Sequence, residues 1–210
     1  KTITPTAELA LRLLLARVRS LPHAHHSVLR GEWNRPAFLG HSLAGKTLGI
    51  VGFGRLGSMM AKYGKALGMD TIFTDPKKKG GVPLMKLLRT ADIISLHVPL
   101  TETTKHMIGR KELTQMKSSA LLINTARGKI VDEAAVLAAL RAKKLAGYAA
   151  DVLADELSFT PMKAQSALIE YAQTHDNVLL TPHIGGTTVE ARKATDVFIA
   201  EKLRQTLNGM

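Results

Sequence analysis

The stretch Thr47-Leu-Gly-Ile-Val-Gly-Phe-Gly-Arg-Leu-Gly57 decides how this chain folds. Thr47–Val51 is short and mostly apolar, as expected of a parallel strand covered on both faces. It runs directly into Gly52-x-Gly54-x-x-Gly57. Ser58 to Leu67 follows, with Met59, Met60, Tyr63 and Leu67 at helix-like spacing. Strand, glycine turn and helix in that order form the dinucleotide fingerprint in its proper context. Gly52 permits the tight turn. Gly54 lets the backbone approach a pyrophosphate, because a Cβ there would collide with it. Gly57 allows the helix to pack closely on the strand. The first N–H groups of that helix, those of Arg55 and Leu56 among them, face the phosphates, and the helix dipole favours their charge.

Immediately beyond, a second strand over Asp70–Thr74 ends in Asp75, eighteen residues after Gly57. The fingerprint calls for a carboxylate near this place to accept the ribose hydroxyls. The same carboxylate would repel a 2′-phosphate, so the spacing predicts NAD rather than NADP, with the run Lys77-Lys78-Lys79 close enough to soften that repulsion. The plainer reading is an Asp that opens a turn with Pro76.

Outward from this centre, strand and helix alternate to both ends of the chain. Thr4-Pro5-Thr6-Ala7-Glu8 reads as a helix start. That helix continues to about Arg19, with leucines over most of its girth, so more than one side should be buried. Pro22-His23-Ala24-His25-His26 reads as a polar connector rather than a metal site, having no carboxylate or thiol beside it. Gly31–Gly40, with Trp33, reads as a loop. The later helices are expected over Val82–Arg89, Lys111–Met116, Glu133–Arg141 behind an Asp132 cap, Met162–Gln173, and from Thr187 or Thr188 to about Leu207. The later strands are expected over Ile93–Val98, Ala120–Asn124, Ala146–Val152 and Val178–Leu180. The pattern is α/β, a doubly wound parallel sheet of the Rossmann type in three layers. Residues 1–20 form a linking and dimerisation helix, 21–186 the dinucleotide domain and 187–210 a returning helix.

Composition narrows the function classes. With 210 residues and 45% apolar content, the chain can build a substantial core. It has no cysteine, which excludes disulfides and thiolate metal sites and fits a reducing, cytoplasmic setting. The best apolar run, Leu9–Val18, is interrupted by Arg12 and Arg17, so no membrane role is expected. A net charge of +12 could serve a nucleic-acid surface. The cations are dispersed, however, and no nucleic-acid-binding motif accompanies them, so attraction for an anionic cofactor and substrate is the better reading.

In a doubly wound sheet, ligands bind beyond the carboxyl ends of the strands. The polar residues that stand out all fall there: the glycine turn, Asp75, His97, Arg127, Asp151, Glu156 and His183. Singly, each could be ordinary strand-end or turn chemistry. Together they offer a guanidinium for an anion, a histidine for proton transfer and a carboxylate to tune it.

The sequence resembles the NAD-dependent D-isomer-specific 2-hydroxyacid dehydrogenases. The resemblance rests on Leu43–Gly57, Ser95-Leu-His-Val-Pro-Leu-Thr101 with Thr104, Asn124-Thr-Ala-Arg-Gly128, Val131-Asp-Glu133, Asp151-Val152 and Thr181-Pro-His-Ile-Gly-Gly186, in family order from about Ala44 to Arg192. It implies that Arg127 binds the carboxylate and carbonyl of a small 2-hydroxy or 2-keto acid. His183 would be the general acid in reduction and the base in oxidation. Glu156 would hydrogen-bond His183 and favour its protonated form. Asp151 would hold the nicotinamide amide. His97, Val98, Pro99, Thr104, Thr125, Ala126, Gly185 and Gly186 would lie along the cofactor. Glu156 distinguishes the pattern from formate dehydrogenases, which resemble it but carry Gln as the partner of the histidine.

Leu157 stands where the family usually has Pro, and Leu157 to Asp176 matches poorly. The family's N-terminal substrate-domain segment is expected to be absent from the chain. A homodimer through the first helix is implied. The alternative to an enzyme is a module that binds NAD without turnover.

Overall fold

The computed structural model describes residues 3–160 and 163–208. Six parallel strands form one sheet: β1 (Thr47–Val51), β2 (Asp70–Thr74), β3 (Ile93–Leu96), β4 (Leu121–Asn124), β5 (Gly147–Ala150) and β6 (Val178–Leu180). The helices are α1 (Ile3–Val18), α2 (Leu21–Leu29), α3 (Arg55–Ala66), α4 (Leu84–Thr90), α5 (Arg110–Leu113), α6 (Glu133–Arg141), α7 (Ala167–Ala172) and α8 (Val189–Asn208). The strand order is β2-β1-β3-β4-β5-β6. Connections therefore leave β1 in opposite directions, and a crevice opens between the carboxyl ends of β1 and β3.

Period-two alternation along the strands makes the three layers. Leu48, Ile50, Ile93, Leu121, Ile123 and Ala149 face α1 and α3. Val51, Ile94, Leu96, Leu122, Tyr148 and Ala150 face the opposite core, which α4 to α7 cover. Gly49 has no room for a side chain, since a Cβ would lie 2.6 Å from Cδ2 of Leu87 on α4.

The expected α/β doubly wound sheet is the one observed, with departures in its elements: β3 and β5 are shorter, α5 spans Arg110–Leu113 and a 3-10 turn forms at Arg35–Phe38 within the expected loop. Pro22 to His26 is not a connector but the body of α2. Ser20 breaks the chain direction with a φ of 47°, and Pro22 sits in the first turn, where its missing N–H leaves no helical bond unmade. The helix expected over Met162–Gln173 is shorter: Ser166 caps α7 by accepting from the Ile169 N–H, and Met162 lies outside the described residues. Within this chain α1 buries one side, through Ala7, Leu9, Ala10, Leu13 and Leu14, while Leu15 on its other side is exposed. None of the described helices is long and apolar enough to cross a membrane.

Candidate active site

The glycine turn follows β1. A Cβ on Gly52, whose φ is 92°, would lie 2.6 Å from the His97 carbonyl oxygen, and one on Gly57 would collide with the Gly52 carbonyl. These two glycines answer to the protein's own packing. Gly54 does not, because a Cβ there would meet nothing within 4 Å. It precedes α3 without any side-chain cap, so the N–H groups at the start of that helix have no side-chain partner.

Asp75 shows its turn-forming role directly. Its Oδ1 accepts from the Lys77 N–H at 2.8 Å and shapes the turn, while Oδ2 accepts from the Phe53 N–H at 2.8 Å and ties β2 to the glycine turn. Phe53 and Phe73 stack beside it, with centroids 4.0 Å apart.

A cleft of about 480 Å³ continues from Leu56 past His97, Val98 and Pro99 to Thr125, Ala126 and Arg127. The Nε2 of His97 lies 2.9 Å from the Ser95 hydroxyl, and Nδ1 is shut from solvent without a partner. Burial pushes its pKa down to about 3, so the imidazole is neutral. Thr125 presents a second buried polar atom with no partner, its Oγ1. Thr104 clasps the loop after Pro99, donating to the Pro99 carbonyl at 2.6 Å and accepting from the Thr101 N–H. Open space at Gly54, an uncapped helix start and an unpaired Thr125 hydroxyl fit a dinucleotide laid across the crevice.

Asn124, which sequence reasoning gave no role of its own, shapes the next turn. Its side chain accepts from the Ala126 N–H at 3.1 Å and donates to the Arg127 carbonyl at 3.0 Å. An Asn ending a strand one residue before such a turn was the available signal. Arg127 is exposed, and among the described residues no carboxylate pairs with it.

At the far end of the edge, Nδ1 of His183 meets Oε1 of Glu156 at 2.8 Å. Oε2 of Glu156 accepts from the Leu153 N–H at 3.2 Å. With Nδ1 engaged, Nε2 is the ring nitrogen left available to exchange a proton. His183 holds a left-handed backbone, φ 53°, and its N–H donates to the Asp151 carbonyl at 2.8 Å. A non-glycine residue in this conformation is strained, and such strain gathers at functional positions.

Asp151 is 2% exposed and organises the loop around His183. Its Oδ1 accepts from the Thr181 hydroxyl at 2.6 Å and the Ile184 N–H at 2.9 Å, and Oδ2 accepts from the Gly185 N–H at 2.8 Å. Gly185 is thus turned inward, while Gly186 faces open space. Leu157 is 98% exposed. Among the described residues no cluster could hold a metal ion.

Residues 11–185 match the model of the NAD-binding domain of D-isomer specific 2-hydroxyacid dehydrogenases. The chain belongs to that family. Its cofactor is NAD. The chain is 42% identical over 213 residues to D-3-phosphoglycerate dehydrogenase of Methanocaldococcus jannaschii, covering 97% of this chain and 39% of that one. It is 42% identical over 214 residues to glyoxylate reductase of Thermococcus litoralis, covering 94% and 62%. The solved D-lactate dehydrogenase of Aquifex aeolicus, complexed with NAD and lactic acid, superposes with a TM-score of 0.89 at 32% identity, covering 99% and 67%. The chain therefore spans about two fifths to two thirds of the length of these relatives.

Proposed function

We propose that this chain is the cofactor-binding part of an NAD-dependent oxidoreductase acting on small D-2-hydroxy acids and their 2-keto counterparts. The observation that carries the reading is the His183–Glu156 pair, set on the same sheet edge as the glycine turn and the exposed Arg127 guanidinium, which donates to the Ala126 carbonyl and pairs with no carboxylate among the described residues. Arg127 holds the substrate carboxylate with its planar fork, which a lysine could not imitate. His183, with Nδ1 held by Glu156, delivers a proton from Nε2 to the keto oxygen, or accepts one from the hydroxyl in the reverse direction. When bound, NAD(H) supplies or takes up the hydride exchanged with substrate C2. Asp75 receives the ribose hydroxyls. Thr125, Ala126 and the His97-Val98-Pro99 segment flank the cofactor, and Thr104 holds that segment in place. Asp151 contributes by shaping the Thr181–Gly186 loop, and Gly186 gives the cofactor its closest approach there.

Calorimetry with NAD and NADP tests the cofactor half of the proposal, and an assay with hydroxypyruvate, glyoxylate and phosphohydroxypyruvate tests the other half. NAD should bind more tightly than NADP; equal or tighter binding of NADP would remove Asp75 from its role. The 210-residue chain by itself should turn over substrate poorly. Arg127 is exposed, and an ion pair in water contributes only about 0–1 kcal/mol, whereas an enclosed, oriented site can gain roughly 7–11 kcal/mol. Full-strength catalysis by this chain alone would contradict that. In the full-length protein, His183→Asn should lower the rate about 10²–10⁴-fold, and an unchanged rate would take His183 out of the mechanism.

We further propose a cytoplasmic homodimer, with 1–20 at the two-fold contact and 187–210 returning toward a substrate domain. Leu15 on α1, Leu21 and Leu29 on α2 and Trp33 beyond it are exposed apolar residues, and α8 leaves Phe198, Ile199 and Leu203 uncovered. Sedimentation of the full-length protein should give a dimer at micromolar concentration; a monomer would overturn the contact.

A further inference from the structure

The pairing of Glu156 with His183 depends on where the loop after β5 is held. That loop is not fixed by regular structure, because β5 ends at Ala150 and the next element is only the 3-10 turn Glu156–Ser158. One fixed point is Glu133, the first residue of α6. Its Oε1 reaches across to accept the Ala154 N–H at 2.6 Å. A second is Gly128, whose position admits no Cβ because the Leu153–Ala154 backbone already occupies that space. Leu153 in turn gives its N–H to Glu156.

An acid in the first turn of a helix is ordinarily explained by the dipole, and such a group stays in solvent. Glu133 does not. Burial pushes its pKa up. The Ala154 N–H offsets part of that rise, and the charges of Asp155 and Glu156 add to it. A side chain placed where its charge is disfavoured, yet tying the start of α6 to the loop after β5, points to a task other than helix stability.

We propose that Glu133 is a positioning residue: through the Ala154 N–H it sets the 153–156 loop so that Glu156 meets Nδ1 of His183 and leaves Nε2 facing the substrate. This rests on the role given to His183 above, but the test does not use turnover. The 210-residue chain is compared by nitrogen-15 NMR with its Glu133→Ala, Glu133→Asp and Glu133→Gln forms. The readouts are amide exchange at Leu153 and Ala154 and the tautomer of the His183 ring. In the unaltered chain Nδ1, which faces the Glu156 carboxylate, is expected to carry the proton. Glu133→Asp keeps the charge and the helix start but is one methylene too short, so it should behave as Glu133→Ala does. Both should speed exchange at the two amides at least tenfold and mix the two His183 tautomers. Glu133→Gln retains an oxygen of the right reach and should restore both readouts, with thermal midpoints confirming that all forms are folded. An unchanged tautomer in Glu133→Asp and Glu133→Ala, or a Glu133→Gln form that loses it as well, overturns the proposal. A role for His183 other than proton transfer would show instead in the rate of His183→Asn, with these readouts unmoved.

Discussion

At the β1 end of the sheet's carboxyl edge, the site is shaped by missing side chains: Gly52 lies against the His97 carbonyl and Gly57 against the Gly52 carbonyl. At the β5 end it is shaped by carboxylates that each gather backbone N–H groups. Asp151 takes those of Ile184 and Gly185, Glu133 takes that of Ala154, and Glu156 takes that of Leu153. The first device clears space and aims a helix start at a ligand. The second bends irregular chain into a fixed shape and leaves a histidine projecting from it. A phosphate-binding turn needs close approach, and a proton-transferring side chain needs an exact direction, so the two ends call for different means.

Acid should separate these ends. His97, beside the glycine turn, is neutral in the folded protein because burial lowers its pKa to about 3. The ordinary value is about 6.5. A depressed folded value means that the unfolded chain binds the proton first. The stability it contributes is complete above pH about 6.5 and is lost as pH falls toward about 3, at up to roughly 1.4 kcal/mol per unit. Glu133 has the opposite sign: its raised pKa makes the folded state relatively better in acid. Asp92 also loses its contribution on acidification. Burial disfavours its charge, but the hydrogen bonds from Lys117 and the Thr47 N–H, with the charges of Lys117 and Lys46, outweigh that and lower its pKa. Its loss falls below the ordinary Asp range, at about pH 4. Urea unfolding between pH 7 and 4.5 should therefore show a falling stability that His97→Gln flattens. An identical slope in the variant would show that His97 is not the buried neutral group described.

The β1 end was legible in the sequence because clearance is written in residue type. The bounds of β1, β2 and β6 and the Asp132 cap of α6 follow from runs of apolar residues and local hydrogen bonding, and the structure repeats them. The β5 end was legible only as a set of residues. Asp151, Glu156 and His183 could be named, yet nothing in their spacing says that Asp151 binds the Gly185 N–H or that Glu133 crosses 21 residues to Ala154. Those partners are chosen by tertiary packing, which leaves no local period. A more local reason hid α2: its histidines and single proline suggest a connector, whereas the left-handed Ser20 turns the chain and Pro22 opens a helix that buries little beyond Ser27.

The glycine turn supplies a second separation, within one motif. Gly57→Ala must displace the Gly52 carbonyl, and overpacking of this kind typically costs about 1–3 kcal/mol. For a chain of this size that lowers the thermal midpoint by about 2–4 °C for each kcal/mol. A midpoint within 1 °C of the parent would show that the contact relaxes freely and that the third glycine is not required by packing.

Gly54→Ala is the smallest perturbation and the most informative. A Cβ at Gly54 has nothing within 4 Å, and the backbone there, at φ −75°, suits any residue. The folded protein therefore has no reason of its own to keep glycine, and the variant should unfold within about 0.5 kcal/mol of the parent, as surface substitutions do. A pyrophosphate resting on the start of α3 would feel the added methyl at once, since it needs the Arg55 and Leu56 N–H groups at hydrogen-bond distance. NAD affinity should drop about tenfold or more, equivalent to about 1.4 kcal/mol, while the Asp75 preference for NAD over NADP persists, because the ribose end is untouched. Both readings come from one calorimetric series with thermal melts alongside. Unchanged NAD affinity in a fully folded Gly54→Ala would place the phosphates elsewhere on the edge, and the contrast between glycines that serve the fold and the glycine that serves the ligand would fall with it.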